Sequence, residues 1–413
     1  MKIFIQIASY RDPELILTIK SSLENAKNPE NLVFGICRQY HPEDKFDDLC
    51  DFENDKRFKI INVLYNESKG VCWARNQVQQ LYNDEEYTLQ IDSHMRFEKN
   101  WDETLIDMLN QLKNEGIKKP LLTTYVPSYD PNNDPKGRVM EPWRMVFDKF
   151  SKEGVVLFLP EIIPNWDKLQ SPVPSRFYSA HFCFTIGEFS KEVQHDPNFY
   201  FHGEEISIAV RAFTNGYEMF HPHKVVIWHE YTRNGRTKHW DDQKDWYILD
   251  KKSHILNKNL LGVDGLKNDY VENKYGLGTI KTLRDYEKYA GIFFEKRLSH
   301  KETIEKKYPP STQYENDEEW VKSFSNLFSF EIKPNPDDFL GYDFDFFAIT
   351  FHDEENNEIF RKDADKVEIK EIVSKNRIKR AFYTLKKPKS WSIWLHSEKE
   401  GWIKQLKGEI SYE

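Results

Sequence analysis

An aspartate and a histidine stand one residue apart, Asp92 and His94, where the strand-like run Tyr87-Thr88-Leu89-Gln90-Ile91 ends. On an extended turn leaving a buried strand, side chains at that spacing converge on one ion, the carboxylate supplying oxygen and the imidazole nitrogen. Two ligands hold a cation weakly. Such a pair suits Mg2+ or Mn2+, whose sites are completed by water, one further side chain and substrate phosphates. The plainer role of the same tripeptide is an Asp capping the next turn beside an incidental His. His229, in Val-Val-Ile-Trp-His-Glu-Tyr, again closes an apolar run and offers the further ligand. His221 and His223, on either side of Pro222, form with His229 a rival set that would make a zinc hydrolase.

Glu204 and Glu205 follow Gly203 at the expected start of a helix, where the dipole favours carboxylates. A pair there also suits a hydroxyl of a bound sugar, or positive charge developing at an anomeric carbon. Arg75 and Asn76 fall in the first turns of a helix opening after Gly70, a setting for phosphate or ribose. Ser9, Tyr10 and Arg11 follow the first strand, and in open α/β sheets that loop commonly touches a nucleotide.

Elements able to position these residues alternate along the first third of the chain. Strand-like KIFIQIAS, LVFGICRQ, FKIINVLY and YTLQID are separated by expected helices, including a polar one before FKIINVLY. That alternation predicts an α/β fold with a parallel, doubly wound sheet whose ligand loops lie at the strands' carboxyl ends. No G-x-G-x-x-G follows the first strand, which disfavours a redox dinucleotide domain. Helical segments are expected to run to about Arg297, with LRDYEKYAGIFFEKR the clearest. The proline-bearing run KKYPPSTQYENDEEW reads as a linker, dividing the chain into a domain over 1–308 and a small β-rich, sandwich-like domain over 309–413.

Net charge is −9, from 68 acidic and 59 basic residues, so the overall field steers neither nucleic acid nor anionic lipid toward the protein. Four cysteines without C-x-x-C spacing read as reduced thiols. The amino terminus reaches Arg11 and Asp12 too soon for a signal h-region, and no later stretch has the length of a membrane span. A soluble, cytoplasmic protein with no integral membrane segment is the expectation.

The ordered segments IASYRDPEL, GVCWARN, LQIDSHMRF, NWD, FHGEEISIAVRAFTNGYEMFHP, VIWHEY and YGLGTIKTLRDYEKYAGIFF resemble a known family. They look like the α-N-acetylglucosaminyltransferases that modify hydroxyproline on an SCF ubiquitin-ligase adaptor in protists, and their bacterial relatives. More distantly, the chain is similar to the polypeptide N-acetylgalactosaminyltransferases, through a shared Asp-x-His motif. The resemblance implies a GT-A fold, UDP-GlcNAc as donor, Mn2+ or Mg2+, retention of the anomeric configuration, and a protein hydroxyproline or bacterial surface glycan as acceptor. It makes Asp92, His94 and His229 the metal ligands. Ser93, Arg75 and Asn76 fall near the donor, Glu204 and Glu205 face sugar and acceptor, and Arg233, Asn234 and Arg236 form a lid over the diphosphate. His181 departs from the family pattern, where a small residue is typical. A reading of another class makes the protein a non-catalytic carbohydrate- or protein-binding module acting through Trp391, Trp394 and Trp402 of the tail.

Overall fold

Ile3, Ile5 and Ile7 pack into one core while Phe4 between them packs into another, because successive side chains of a strand point to opposite faces. They belong to the first strand, β1 (Ile3–Tyr10). The computed structural model describes residues 1–266, 274–324 and 326–412. Its chain divides into two units, Met1–Gln313 and Tyr314–Glu413.

After β1 come α1 (Leu15–Asn25), β2 (Leu32–Tyr40), β3 (Phe58–Leu64), α2 (Val71–Gln79) and β4 (Tyr87–Ile91). These four strands are mutually parallel in the order β3-β2-β1-β4. Next follow β5 (Met95–Phe97), α3 (Trp101–Asn114), β6 (Pro120–Thr123), β7 (Trp143–Phe150), β8 (Val156–Ile162), β9 (Val173–Pro174) and β10 (Phe182–Ile186). Then come α4 (Phe189–Glu192), α5 (Glu204–Thr214), β11 (Glu218–His221) and β12 (Ile227–His229). The large sheet continues past β4 as β10-β6-β11-β9. β10 runs antiparallel to both β4 and β6, so the sheet is mixed rather than parallel throughout. Apolar periodicity locates a strand but carries no sign for its direction.

Helices α1 and α3 cover one face of the sheet, with Leu15, Ile19, Leu105 and Leu109 in the core that holds Leu89, Ile91 and Phe184. On the opposite side α5 contributes Ile206, Ala209, Val210 and Phe213 to a second core. α7 (Trp246–Leu261) and α8 (Leu283–Ala290) join that core through Leu260, Leu261 and Tyr286. The short α6 (His239–Asp242) precedes them.

Two expected helices differ from the structure. Residues 41–57 form turns, because Asp48 and Asp55 accept from the backbone N–H groups of Cys50 and Arg57 and so compete with helical pairing. The helix in LRDYEKYAGIFFEKR stops at Ala290, where Gly291 turns left-handed with φ +63°. The chain then returns through the short pair β13 (Ile292–Phe293) and β14 (Leu298–Ser299), followed by α9 (Lys301–Ile304). Positions 267–273 of the expected helical run lie outside the described residues.

The second unit contains α10 (Asp317–Lys322), β15 (Asn326–Ile332), β16 (Phe344–His352), β17 (Glu358–Arg361), α11 (Lys366–Lys375), β18 (Ile378–Thr384), β19 (Ser390–Ser397) and β20 (Gly401–Glu409). β15 and β18 pair with each other, and β17-β16-β19-β20 form an antiparallel sheet. Phe347, Ile349, Phe351, Ile393 and Leu395 fill its core. The unit is rich in strands, as expected, but β15 and α11 are additions, and α10 begins inside the run expected to be a linker. Asp365 caps it, accepting from the N–H groups of Val367 and Glu368, and Ile369 and Ile372 anchor it.

Among the described residues no helix is long and apolar enough to cross a membrane. All four cysteines are free thiols, Cys37, Cys72 and Cys183 buried and Cys50 exposed.

Candidate active site

β4 delivers Asp92 and the chain turns at once into β5, which pairs antiparallel with β12 and sets His229 opposite Met95. That pairing carries His229 to the side of His94. The two Nε2 atoms lie 3.0 Å apart, and Asp92 Oδ2 lies 3.3 Å from His229 Nε2 and 3.6 Å from His94 Nε2. Three side chains from two distant segments thus meet at one point.

Asp12 orients the group. Its buried carboxylate can only accept, so His94 carries a proton on Nδ1, 2.7 Å away, and turns the lone pair of Nε2 toward His229. Asp12 also accepts from the Ser93 hydroxyl at 2.7 Å and from Arg236 at 3.4 Å. Burial alone would raise its pKa, yet His94 and Arg236 hold it below the ordinary carboxylate value. Likewise burial works against the Asp92 carboxylate, but His229, Arg75 and His94 together keep it well below its usual range. His229 is pushed by burial down to about 4, Asp92 opposing in part, so its imidazole is neutral at pH 7. One carboxylate and two imidazoles are the donor set of a divalent transition-metal site.

Arg75 fixes Asp92 from behind. Gly70, at φ +102°, opens α2 with the Tyr200 ring only 2.6 Å from where a Cβ would stand. From the second turn of that helix Arg75 reaches Asp92 Oδ1 and Glu204 Oε1, each at 2.7 Å. Burial disfavours the cation, but Glu204 and Asp92 more than offset it. Glu204 is further engaged by Cys72 Sγ at 2.9 Å and lies 3.7 Å from His195. Its neighbour Glu205 accepts from Tyr125 O–H at 2.7 Å and from the Ala180 N–H at 2.9 Å. Burial drives Glu205 up to about 7, those two hydrogen bonds pulling the other way.

Two cavities meet at this cluster and share Asp92, His229, Phe201 and Arg233. The first, of ≈ 160 Å³, is lined by Tyr10, Asp12, Ser93, Tyr200, Arg236 and His239. The second, of ≈ 450 Å³, is lined by Tyr125, His181, Glu204, Glu205, Tyr231 and Arg75. His181 stacks on His229 with ring centroids 4.5 Å apart, and accepts from the Val126 N–H at 3.2 Å. Burial and the neighbouring His229 keep it neutral, well below the usual histidine value.

Several expected contacts stand elsewhere. Ser9 is fully buried, and Arg11 is bound by Asp44 at 2.7 Å and Asp242 at 2.9 Å. Asn76 points away, donating to the His195 carbonyl at 2.8 Å. Neither cavity is lined by these three, nor by Asn234. Of the loop after β12, Arg233 borders both cavities, while Arg236 is held by Glu230 at 2.7 Å. His221 binds the Thr123 carbonyl at 2.8 Å, and among the described residues neither it nor His223 joins a metal-ligand group with His229. Asp12, Tyr125 and Glu230 escape the sequence reading. Only Asp12 carries a local signal, as the carboxylate of the loop after β1.

A family model described as Glycosyltransferase (GlcNAc) matches residues 2–54 and 50–296, a span that contains the whole cluster and both cavities. The chain belongs to this glycosyltransferase family. Among solved structures it is similar to GalNAc-T7 with UDP, GalNAc and Mn2+, at 13% identity over 69% of this chain and 54% of that chain, with a TM-score of 0.48. It therefore spans about half the length of that relative. It is also similar to S. aureus TarS 1–349 in complex with UDP-GlcNAc, at 12% identity over 66% of this chain and 73% of that chain, with a TM-score of 0.39. No curated protein matches the sequence. The matched span ends before the second unit begins.

Proposed function

We propose that this family member is a metal-dependent, retaining glycosyltransferase of the GT-A type that moves GlcNAc in α linkage from UDP-GlcNAc to a hydroxyl. The acceptor classes are those of the sequence resemblance, a protein hydroxyproline or a bacterial surface glycan. The observation that carries the reading is the convergence of Asp92, His94 and His229 where two cavities meet.

The residues fit a cation. Octahedral ligands about 2.1 Å from a Mg2+-like ion are spaced about 3 Å from one another, against the 3.0, 3.3 and 3.6 Å found here. Bound there by Asp92, His94 and His229, Mn2+ or Mg2+ would supply positive charge against the departing diphosphate. The chain's residues do the rest. Tyr10, Tyr200 and His239 offer a ring-lined place for the uridine, and Arg233 and Arg236 add cationic charge beside the phosphates. Arg75 holds Asp92 against recoil.

Glu204 and Glu205 border the second cavity, on the sugar and acceptor side. Both oxygens of each already have partners, Arg75 and Cys72 for Glu204, Tyr125 and the Ala180 N–H for Glu205. That engagement supports a front-face transfer without an enzyme nucleophile. The anomeric carbon–phosphate oxygen bond breaks, the acceptor oxygen bonds to the same face, and its proton passes to the leaving phosphate oxygen. The carboxylates steady the positive charge on the sugar.

A donor panel tests this. UDP release is expected from UDP-GlcNAc with Mn2+, above UDP-GalNAc, UDP-glucose and UDP-galactose, and is expected to vanish with chelator and in Asp92→Ala. Release indifferent to both treatments would remove the metal from the reaction, and a trapped glycosyl ester on Glu204 or Glu205 would replace the front-face route.

A further inference from the structure

The open face of the four-stranded sheet in the second unit carries a pattern that a plain solvent face does not need. Register places Trp394 between Ala348 and Gln405, and Trp402 beside His396 in the neighbouring row. Both indoles are open, Trp394 41% and Trp402 54% exposed, with ring centroids 6.0 Å apart and planes at 77°. Ile393 and Leu395, on either side of Trp394 in β19, are fully buried on the other face. An indole left in water forfeits one of the largest apolar burials a side chain offers, and two side by side mark a place meant to be covered.

What the rest of the face presents identifies the covering chemistry. Ala348, Thr350 and Ser392 are short and nearly buried, so the floor beside the rings sinks into a trough. The Thr350 and Ser392 hydroxyls pair across it at 2.7 Å. The opposite bank carries His352, Glu358 and Arg361, and Gln405 adds an amide on the far side of Trp394 from Ala348. One wall is therefore aromatic and the other is rich in donors and acceptors. A pyranose has the same two characters, a C–H face and a rim of hydroxyls. An apolar peptide would leave the bank's charges uncovered, and a second copy of the chain would call for a larger and more apolar patch. Nucleic acid is poorly served by a face on which Arg361 and Lys407 are balanced by Glu358 and Glu409, in a chain of net charge −9.

We propose that this trough is a binding site for a neutral oligosaccharide, with sugar faces stacked on Trp394 and Trp402 and hydroxyls met by His352, Glu358, Arg361 and Gln405. It goes beyond sugar transfer and does not depend on it, since none of its residues belongs to the span matched by the family model.

Calorimetry on the full chain with chitotetraose, cellotetraose and maltotetraose tests the site. At least one is expected to bind with Kd near or below about 1 mM. Trp394→Ala and Trp402→Ala are each expected to weaken it at least about tenfold, and Trp402→Tyr to keep it. UDP release should be unchanged in all three variants. Trp402, the more exposed ring, keeps the test decisive should Trp394→Ala fail to fold. Absence of binding for all three sugars, or binding untouched by Trp402→Ala, overturns the proposal. So does concentration-dependent dimerisation in sedimentation that Trp402→Ala abolishes, which would assign the face to a second copy.

Discussion

His94 and His229 bring their Nε2 atoms within 3.0 Å of each other, although 135 positions separate them in the chain. Two imidazole nitrogens that close need something positive between them, a shared proton or a metal ion. Asp92 Oδ2, 3.3 Å from His229, completes the demand.

Asp12 decides which nitrogen of His94 faces that point. Asp12→Asn keeps the shape and removes the charge that fixes the tautomer, so Mn2+ affinity measured by calorimetric titration is expected to fall about 10- to 100-fold. Far-UV circular dichroism should be preserved. Unaltered affinity would mean that the 2.7 Å contact to His94 Nδ1 has no part in orienting the ligand.

Arg75 holds both Asp92 Oδ1 and Glu204 Oε1. Arg75→Met leaves those carboxylates uncompensated, and urea denaturation should show a loss of about 3–5 kcal/mol. Adding Glu204→Gln should restore part of it, because one buried negative charge is then gone. Strict additivity of the two changes would contradict the coupling.

Glu205 gives the protein a pH signature. Its carboxyl rises to about 7 in the folded state against an ordinary 4.5, so between those values the native state holds a proton that the unfolded chain has lost. Stability contributed by this group is therefore full below the lower value and declines as pH rises toward 7, by up to about 3 kcal/mol. Glu205→Gln should flatten that segment of a stability-versus-pH curve measured in urea, and a slope unchanged by the substitution would place the titration elsewhere.

Gly203 adopts φ +90° immediately before α5, and a Cβ there would stand 3.1 Å from Asn257. Gly203→Ala is expected to lower stability by roughly 1–3 kcal/mol and to reduce UDP release further than that loss explains, since Glu204 and Glu205 follow directly. Thermal unfolding and turnover of the same preparation separate the two effects. Full activity in a destabilised variant would show that the glutamates do not depend on this turn.

Much of the frame is legible in the chain itself. Alternating apolar runs mark β1 to β4, the residues that end β4 and β12 stand out as ligand types, and Gly203-Glu204-Glu205 announces the helix that carries both carboxylates. These are local signals, readable because burial imposes a period of two on strands and of 3.6 on helices. Residues 41–57 escaped because charged side chains that bind nearby backbone favour turns over a helix of the same length. α11 escaped because its neighbours on both sides read as strands.

The sequence by itself determined the strands β1 to β4 and β12, and which side chains at the ends of β4 and β12 have the chemistry of ligands. Only the tertiary structure decided that they meet. The pairing of β12 with β5 brings His229 to His94, the salt bridges of Arg75 tie α2 to Asp92 and α5, and Asp12 turns one imidazole toward the other. No local period encodes such distances. They arise when one sheet, packed between two cores, leaves its strand ends no other place to go.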